Sequence, residues 1–319
     1  MARRRPRGRD VNGIMVLDKP GGMSSNDAVQ KAKKLFAARK VGHTGSLDPL
    51  ATGVLPLCFG EATRFSRYLL ESDKKYTTRV IFGVSTDSGD ADGKVIRERP
   101  VGRLTRAAVD KALDAYRGEI QQVPSMFSAV KHQGQPLYKL ARKGIEVERK
   151  ARSVTVYSIE IGEFAGDELD LDIHCSKGTY VRTIVHELGE SLGCGAHVTA
   201  LRRTMAGPFG ESDLVTFEML GRSGEDIGEG ADRKPLEAWL QPVSSAVRQW
   251  PEVTLTGDAA YYLRQGQPVI VPHAPTEGWV RLAQAASPET SEGNGARFLG
   301  VGEILDDGRV APRRLIPSN

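Results

Sequence analysis

The stretch G-H-T-G-S-L-D-P-L-A-T-G-V-L, residues 42–55, holds one carboxylate, Asp48, in a glycine-punctuated loop between apolar flanks. Gly42, Gly45 and Gly53 allow backbone paths closed to other residues, and Pro49 disfavours helical geometry at Asp48, so the acid is expected in one fixed orientation. Read alone, the Asp48-Pro49 pair also fits a helix cap with proline in the first turn. Upstream, G-I-M-V-L (13–17) reads as a buried strand; Ser24 or Ser25 then caps a helix with Val29, Ala32, Leu35 and Phe36 on one face. Downstream, residues 75–84, 93–98, 152–164 and 168–176 are strand-like, and helices are expected at 61–71, 105–116 and 179–192. Strands joined by hairpins and interrupted by helices predict an α/β fold of the α+β kind, built on a mixed, largely antiparallel sheet.

The chain has 319 residues, 39% of them hydrophobic, enough for two domains with buried cores. No apolar run reaches the roughly 18 residues that cross a bilayer, and the arginine-rich start lacks a secretory segment, so a cytoplasmic address without a membrane is expected. Three cysteines, Cys58, Cys175 and Cys194, form no C-x-x-C pair and read as reduced, buried side chains.

Net charge is only +4, but it is unevenly spread. Residues 1–10 carry five arginines against one aspartate and read as a basic disordered tail. Residues 128–152 carry seven bases, among them Lys131, Lys139, Arg142 and Lys143, against two acids, with Phe127 and Tyr138 interleaved. Residues 211–237 run the other way, eight acids to three bases. A polyanion lying on one side of the molecule fits this asymmetry.

Several cofactor and metal motifs fail. His186-Glu187 starts like a zinc-protease helix, but Glu190 stands where the second histidine belongs. S-G-D-A-D-G (88–93) lacks the calcium-loop ends and reads as a turn. The deaminase signature is absent, and Gly300-Val301-Gly302 does not continue into a dinucleotide fingerprint.

At residues 42–55 the sequence resembles the TruB family of tRNA pseudouridine-55 synthases. The likeness extends to G-I-M-V-L-D-K-P-G-G-M-S-S (13–25), D-K-K-Y (73–76), G-V-S-T-D-S-G-D-A-D-G (83–93), V-P-S-M-F-S-A-V-K (123–131) and S-K-G-T-Y-V-R-T (176–183). It covers nearly the whole chain, with residues 221–234 and 283–296 idiosyncratic. It implies a catalytic domain over 11–248, an RNA-gripping insertion at about 124–152, and a small β-rich domain of PUA type over 249–319.

The resemblance also implies the chemistry. Uridine becomes pseudouridine when the N1–ribose bond breaks, the base turns and carbon 5 rejoins the ribose, a redox-neutral isomerisation needing no cofactor. Asp48 would start it, by attack on ribose carbon 1′, by attack on the ring or by removing the 2′ proton. Arg182 would pair with and aim Asp48. His43 would fill the stack vacated by the flipped base, Tyr76 would pack on that base, and Tyr180 and Leu201 would line its pocket. Lys131, Lys139, Arg142 and Lys143 would hold the RNA backbone. The partner would be the T arm of tRNA, with no obligate protein partner and a monomeric enzyme. Arg182 carries a separate clue, since a cation in the first turn of the 179–192 helix opposes the macrodipole unless a negative partner is near. Two rivals remain: a guide-RNA-dependent enzyme acting on ribosomal RNA, against which the basic insertion argues, and a tRNA chaperone, whose activity could accompany base flipping.

Overall fold

The computed structural model describes residues 8–221, 233–285 and 296–317. Most of the arginine-rich tail, and most of the two idiosyncratic stretches, lie outside the described residues.

The apolar run before the Asp48 loop forms strand β1 (Gly13–Lys19), followed by helix α1 (Ser25–Leu35). Ser24 is the cap: its hydroxyl accepts from the Asp27 amide while the Asp27 carboxylate accepts from the Ser24 amide, and Lys33 and Lys34 complement the other end. Ser25 is thereby free for another task, described below. Further strands are β2 (Thr52–Phe59), β3 (Lys74–Phe82), β4 (Gly118–Gln122), β5 (Arg152–Ala165), β6 (Glu168–Cys175) and β7 (Ala196–Ala206). They form the backbone of a nine-stranded sheet in the order β1-β2-β7-β3-β6-β5-β4. Among the described residues its one parallel strand pair is β2 with β7, where Thr52 faces Arg202 and Gly53 faces Arg203. The sheet is therefore mixed and largely antiparallel, as the pattern predicts.

Helices α1, α2 (Arg106–Leu113) and α3 (Val181–Ser191) contribute to the main core, where Ala28, Val29, Val109, Leu113, Ile184 and Leu188 meet strand residues such as Leu55, Val80, Leu171 and Val198. A second, four-stranded sheet follows, β8 (Glu252–Leu255), β9 (Gly278–Gln284), β10 (Arg297–Ile304) and β11 (Val310–Leu315), with helix α4 (Gly257–Arg264) between its first two strands.

Three local expectations change. The helix expected at 61–71 divides into a 3-10 segment, Gly60–Arg64, and a short helix, Ser66–Leu70. Asp48 caps no helix, because the chain passes from its loop directly into β2. Gly42 lies in the short strand Val41–His43 without positive φ, whereas Gly45 and Gly53 have φ of 114° and 94°. At Gly53 an added Cβ would lie 2.3 Å from the Arg203 carbonyl oxygen, so the close approach of β2 to β7 requires glycine there.

Candidate active site

Asp48 lies in a loop whose carbonyls are held from several sides. Ser25 Oγ accepts from the Leu47 amide at 2.7 Å and lies 3.1 Å from the Leu47 carbonyl, to which it donates. The Pro49 carbonyl accepts from the Gly22 amide at 2.9 Å and from Lys19 Nζ at 3.3 Å. The K-P-G-G-M-S-S segment thus cradles the Asp48 loop. Lys19 is fully buried, its ammonium also bonded to the carbonyls of Pro20 and Met23. Burial lowers its pKa to about 8, with Asp48 acting in the opposite sense.

Arg182 is the second residue of α3 and is buried, which would be costly without anions. Its Nε lies 2.9 Å from Asp48 Oδ2 and its Nη1 3.2 Å from Asp90 Oδ2. Nη1 also donates to the Ser88 carbonyl at 2.6 Å, and Nη2 to the Phe127 carbonyl at 2.9 Å. One planar guanidinium therefore joins the Asp48 loop, the 88–93 turn and the start of the basic insertion. The Asp48 side chain keeps 37% exposure, against 5% for Arg182 and 6% for Asp90. Packing around the carboxylate raises the Asp48 pKa above its ordinary value; Arg182 pulls it back and Asp90 adds to the rise.

The other expected residues gather around this pair to different degrees. Tyr76 on β3 and Arg203 on β7 are register partners, as are Thr78 and Leu201, so Tyr76 and Leu201 project on one face of the sheet. Burial raises the Tyr76 pKa, and the field of Asp48 reaches it. Tyr180 precedes α3; its amide donates to Gln122 Oε1 at 3.0 Å, while Gln122 Nε2 donates to its carbonyl at 3.3 Å. Burial raises the Tyr180 pKa as well, with Asp48 adding to it. His43 ends the strand before the loop, with Nδ1 buried and without a hydrogen-bond partner. Its pKa is lowered by burial and then by Arg203. Beyond Arg182, away from Asp48, a cavity of about 340 Å³ is bounded by Ser88, Gly89, Met126, Arg149, Arg182 and His186, among others.

Three family models match successive parts of the chain from residue 33 to residue 316. That for the N-terminal domain of TruB family pseudouridylate synthase matches residues 33–181, that for the tRNA pseudouridylate synthase B C-terminal domain 182–248, and that for the C-terminal part of pseudouridine synthase II TruB 251–316. The tRNA pseudouridine synthase B of Tolumonas auensis is 52% identical over 316 residues, spanning 98% of this chain and 95% of that protein. The protein of the same name from Serratia proteamaculans is 53% identical over 318 residues, spanning 99% and 98%. The chain belongs to the TruB family.

As a TruB-family member it is a pseudouridine synthase, an isomerase. A solved Cbf5-Nop10-Gar1 complex contains a chain of the same fold, with TM-score 0.69, 26% identity and coverage of 95% of this chain and 84% of that one. A second fold match is an H/ACA RNP bound to a substrate RNA containing 2′-deoxyuridine, with TM-score 0.67, 22% identity and coverage of 99% and 92%.

Within this TruB-family site, three residues escaped the sequence reading. Asp90 falls in a stretch that the sequence marks as a turn and as part of the family likeness, without assigning its carboxylate a role. That turn is present, with Asp90 Oδ1 accepting from Ser88 Oγ at 2.5 Å and from the Asp92 amide at 3.2 Å, but its other oxygen faces Arg182. Gln122, 1% exposed, was hidden in a polar stretch. Arg203 looked like one more surface base; the signal that could have found it was alternation with Leu201 on a buried strand. The basic segment contains a hairpin, Lys131–His132 with Gln135–Pro136, and a short helix, Leu137–Ala141. Lys131, Lys139, Arg142 and Lys143 are all exposed, and Arg142 lies over the Tyr138 ring at 5.6 Å. Among the described residues no group of three or more His, Cys, Asp or Glu is arranged to hold a metal ion, and no helix is long and apolar enough to cross a membrane.

Proposed function

We propose that this protein isomerises the uridine at position 55 in the T loop of tRNA, with Asp48 as the group that starts the reaction. The observation carrying this reading is the Asp48–Arg182 pair, in which a buried guanidinium holds a carboxylate that stays partly exposed. In the reaction the N1–C1′ bond breaks, the uracil turns, the C5–C1′ bond forms, the C5 proton leaves and N1 gains one, so atoms balance and no electrons are exchanged. Arg182 holds Asp48 ionised and directed at the substrate. Tyr76, Tyr180 and Leu201 confine the base, and His43 occupies the stack from which it was withdrawn, offsetting a flipping cost of a few kcal/mol. Lys131, Lys139, Arg142 and Lys143 grip the RNA backbone from the 124–152 segment. Residues 11–248 form the catalytic part and residues 249–319 an additional RNA-binding part, and the enzyme acts on the T arm of tRNA as a cytoplasmic monomer without an obligate protein partner.

The likeness to a chain of the Cbf5-Nop10-Gar1 complex favours a second reading, in which added RNA and protein select the target. Mixing the isolated chain with T-arm RNA labelled with tritium at uracil carbon 5 tests both. Release of tritium without any addition supports the tRNA reading, whereas bound RNA without release refutes it. Asp48→Asn is expected to bind T-arm RNA within a few-fold of wild type and to release no tritium.

A further inference from the structure

Arg203 is the largest fully buried side chain among the described residues, at 1% exposure. No carboxylate lies within 4.0 Å of it among the described residues. Its Nε donates to the Val54 carbonyl at 2.7 Å and its Nη2 to the Gly45 carbonyl at 3.1 Å. Gly45 lies in the loop ahead of Asp48 and Val54 lies in β2 beyond it, so one guanidinium joins the loop to the strand it runs into. On the other side Arg203 is the register partner of Tyr76, so the two side chains share one face of the sheet, and the Arg203 charge acts on the Tyr76 phenol. The register of β7 shifts between Val198 and Ala200 and again between Arg203 and Met205, so the segment carrying Leu201 and Arg203 is set off by an irregularity on each side.

A buried cation that faces only carbonyls and a phenol keeps much of its desolvation cost, and an apolar side chain of similar volume would be cheaper for stability. Something other than stability accounts for it. A guanidinium has donors fixed in one plane and pointing several ways, so separate nitrogens can bond two carbonyls that lie apart; an ammonium on the same strand has a single nitrogen. We propose that Arg203 is a positioning residue for the isomerisation, a fork that ties the Gly45 side of the Asp48 loop to strand β2 and stands beside the Tyr76 ring on the same face of the sheet. It acts through Asp48 and Tyr76 without touching the reacting atoms. The proposal rests on the uridine-isomerase reading, but its geometric half stands apart from that reading.

The test compares wild type, Arg203→Lys and Arg203→Met. Single-turnover tritium release at saturating protein, corrected for the folded fraction, is expected to fall roughly tenfold in Arg203→Lys and roughly a hundredfold in Arg203→Met, because a displacement near 1 Å at the reacting group has that effect. RNA affinity should stay within about threefold. In the free protein, exchange of the Leu47 and Ala51 amides, which bond to Ser25 Oγ and to the Asp48 carbonyl, should quicken in both variants. His43 should titrate higher in Arg203→Met, which removes the neighbouring cation, and near wild type in Arg203→Lys, which keeps it. A purely structural role would lower thermal stability while leaving the rate of the folded protein and the amide exchange at wild type, and that result overturns the proposal. Full activity in Arg203→Lys overturns the fork even if Arg203→Met fails to fold. Were wild type itself to release no tritium, the functional reading would fall, and unchanged amide exchange in Arg203→Lys would still be needed to remove the clamp.

Discussion

Arg182 shows how much one buried side chain can decide. It bonds to Asp48, Asp90 and two carbonyls, and a lysine there would keep the charge but lose the fork. Arg182→Lys is expected to lose ~3 kcal/mol of transition-state stabilisation, about two orders of magnitude in single-turnover rate, with RNA affinity nearly unchanged. A wild-type rate would show that Arg182 does not aim the carboxylate; a weakened affinity with a flatter salt dependence would make it a phosphate contact. The pH dependence gives an independent reading with opposite signs at two positions. Asp48 must be ionised, so activity falls as pH drops through its pKa, and burial has already raised that pKa. Arg182 opposes the rise, so Arg182→Gln should move the acid limb to higher pH. Asp90 contributes to the rise, so Asp90→Asn should move the limb to lower pH while the rate at its plateau falls, because Arg182 loses one of its two anions. Rate–pH profiles with both limbs moving the same way would contradict this account.

Among the elements, those the sequence announced are the ones with a clean period or a clean punctuation. α3 has its apolar stripe at Val181, Ile184, Val185 and Leu188, and β5 and β6 alternate across one face. The central strands β2 and β7 were not legible, for different reasons. β2 contains Pro56, which ordinarily argues against an interior strand. Its carbonyl accepts from the Thr44 amide, so the side on which Pro56 lacks an N–H faces the catalytic loop and spares the pairing with β1. β7 carries Arg202 and Arg203 side by side and two register shifts, which erase the alternation of a buried strand. Arg202 faces the other way, to Asp18 at 3.0 Å and Glu211 at 2.8 Å. The basic segment 124–152 was visible from charge alone, and its exposed cations yield a salt prediction. Neutralising Lys139, Arg142 and Lys143 together should weaken RNA binding and reduce the slope of log K against log salt by roughly 2 to 3, about 0.7–0.9 for each phosphate that the protein then leaves to its counterions. An unchanged slope in filter-binding titrations would make the segment an ordinary solvated surface. Because Arg182 Nη2 bonds the Phe127 carbonyl, the base of this segment also touches the group that aims Asp48.

At the scale of the whole molecule, the run G-I-M-V-L has to be apolar throughout because its strand is covered on both faces. Met15 and Leu17 belong to the main core, while Ile14 and Val16 belong to a second core that reaches the C-terminal sheet. β2 repeats the division, with Leu55, Leu57 and Phe59 on one side and Val54 and Cys58 on the other. The second core is sealed by aromatic rings: Tyr68 lies 5.1 Å from Trp250 and 5.5 Å from Trp279, and Phe65 lies 5.6 Å from Phe298. The C-terminal sheet also has a core of its own, around Val253, Leu255, Leu263, Val280, Leu282 and Val310. Two hydrophobic cores joined by one aromatic seam should unfold together only while the seam is intact. Phe65 is fully buried in that seam and lies in no element that carries a residue assigned to the active site. Phe65→Ala is therefore expected to cost about 3–5 kcal/mol, the usual range for emptying a buried phenylalanine site. It should also separate two transitions that coincide in wild type. Far-UV circular dichroism follows both sheets, whereas the fluorescence of Trp250 and Trp279 follows the seam. In guanidinium titrations of wild type the two signals should share one midpoint; in Phe65→Ala the fluorescence midpoint should fall below the dichroism midpoint. Coincident midpoints in the variant would mean that interactions outside the rings couple the sheets. Tritium release from T-arm RNA by Phe65→Ala at low denaturant should stay near wild type, since the Asp48 loop is held by Ser25, Gly22, Lys19 and Arg203, none of which touches the emptied site through its own bonds.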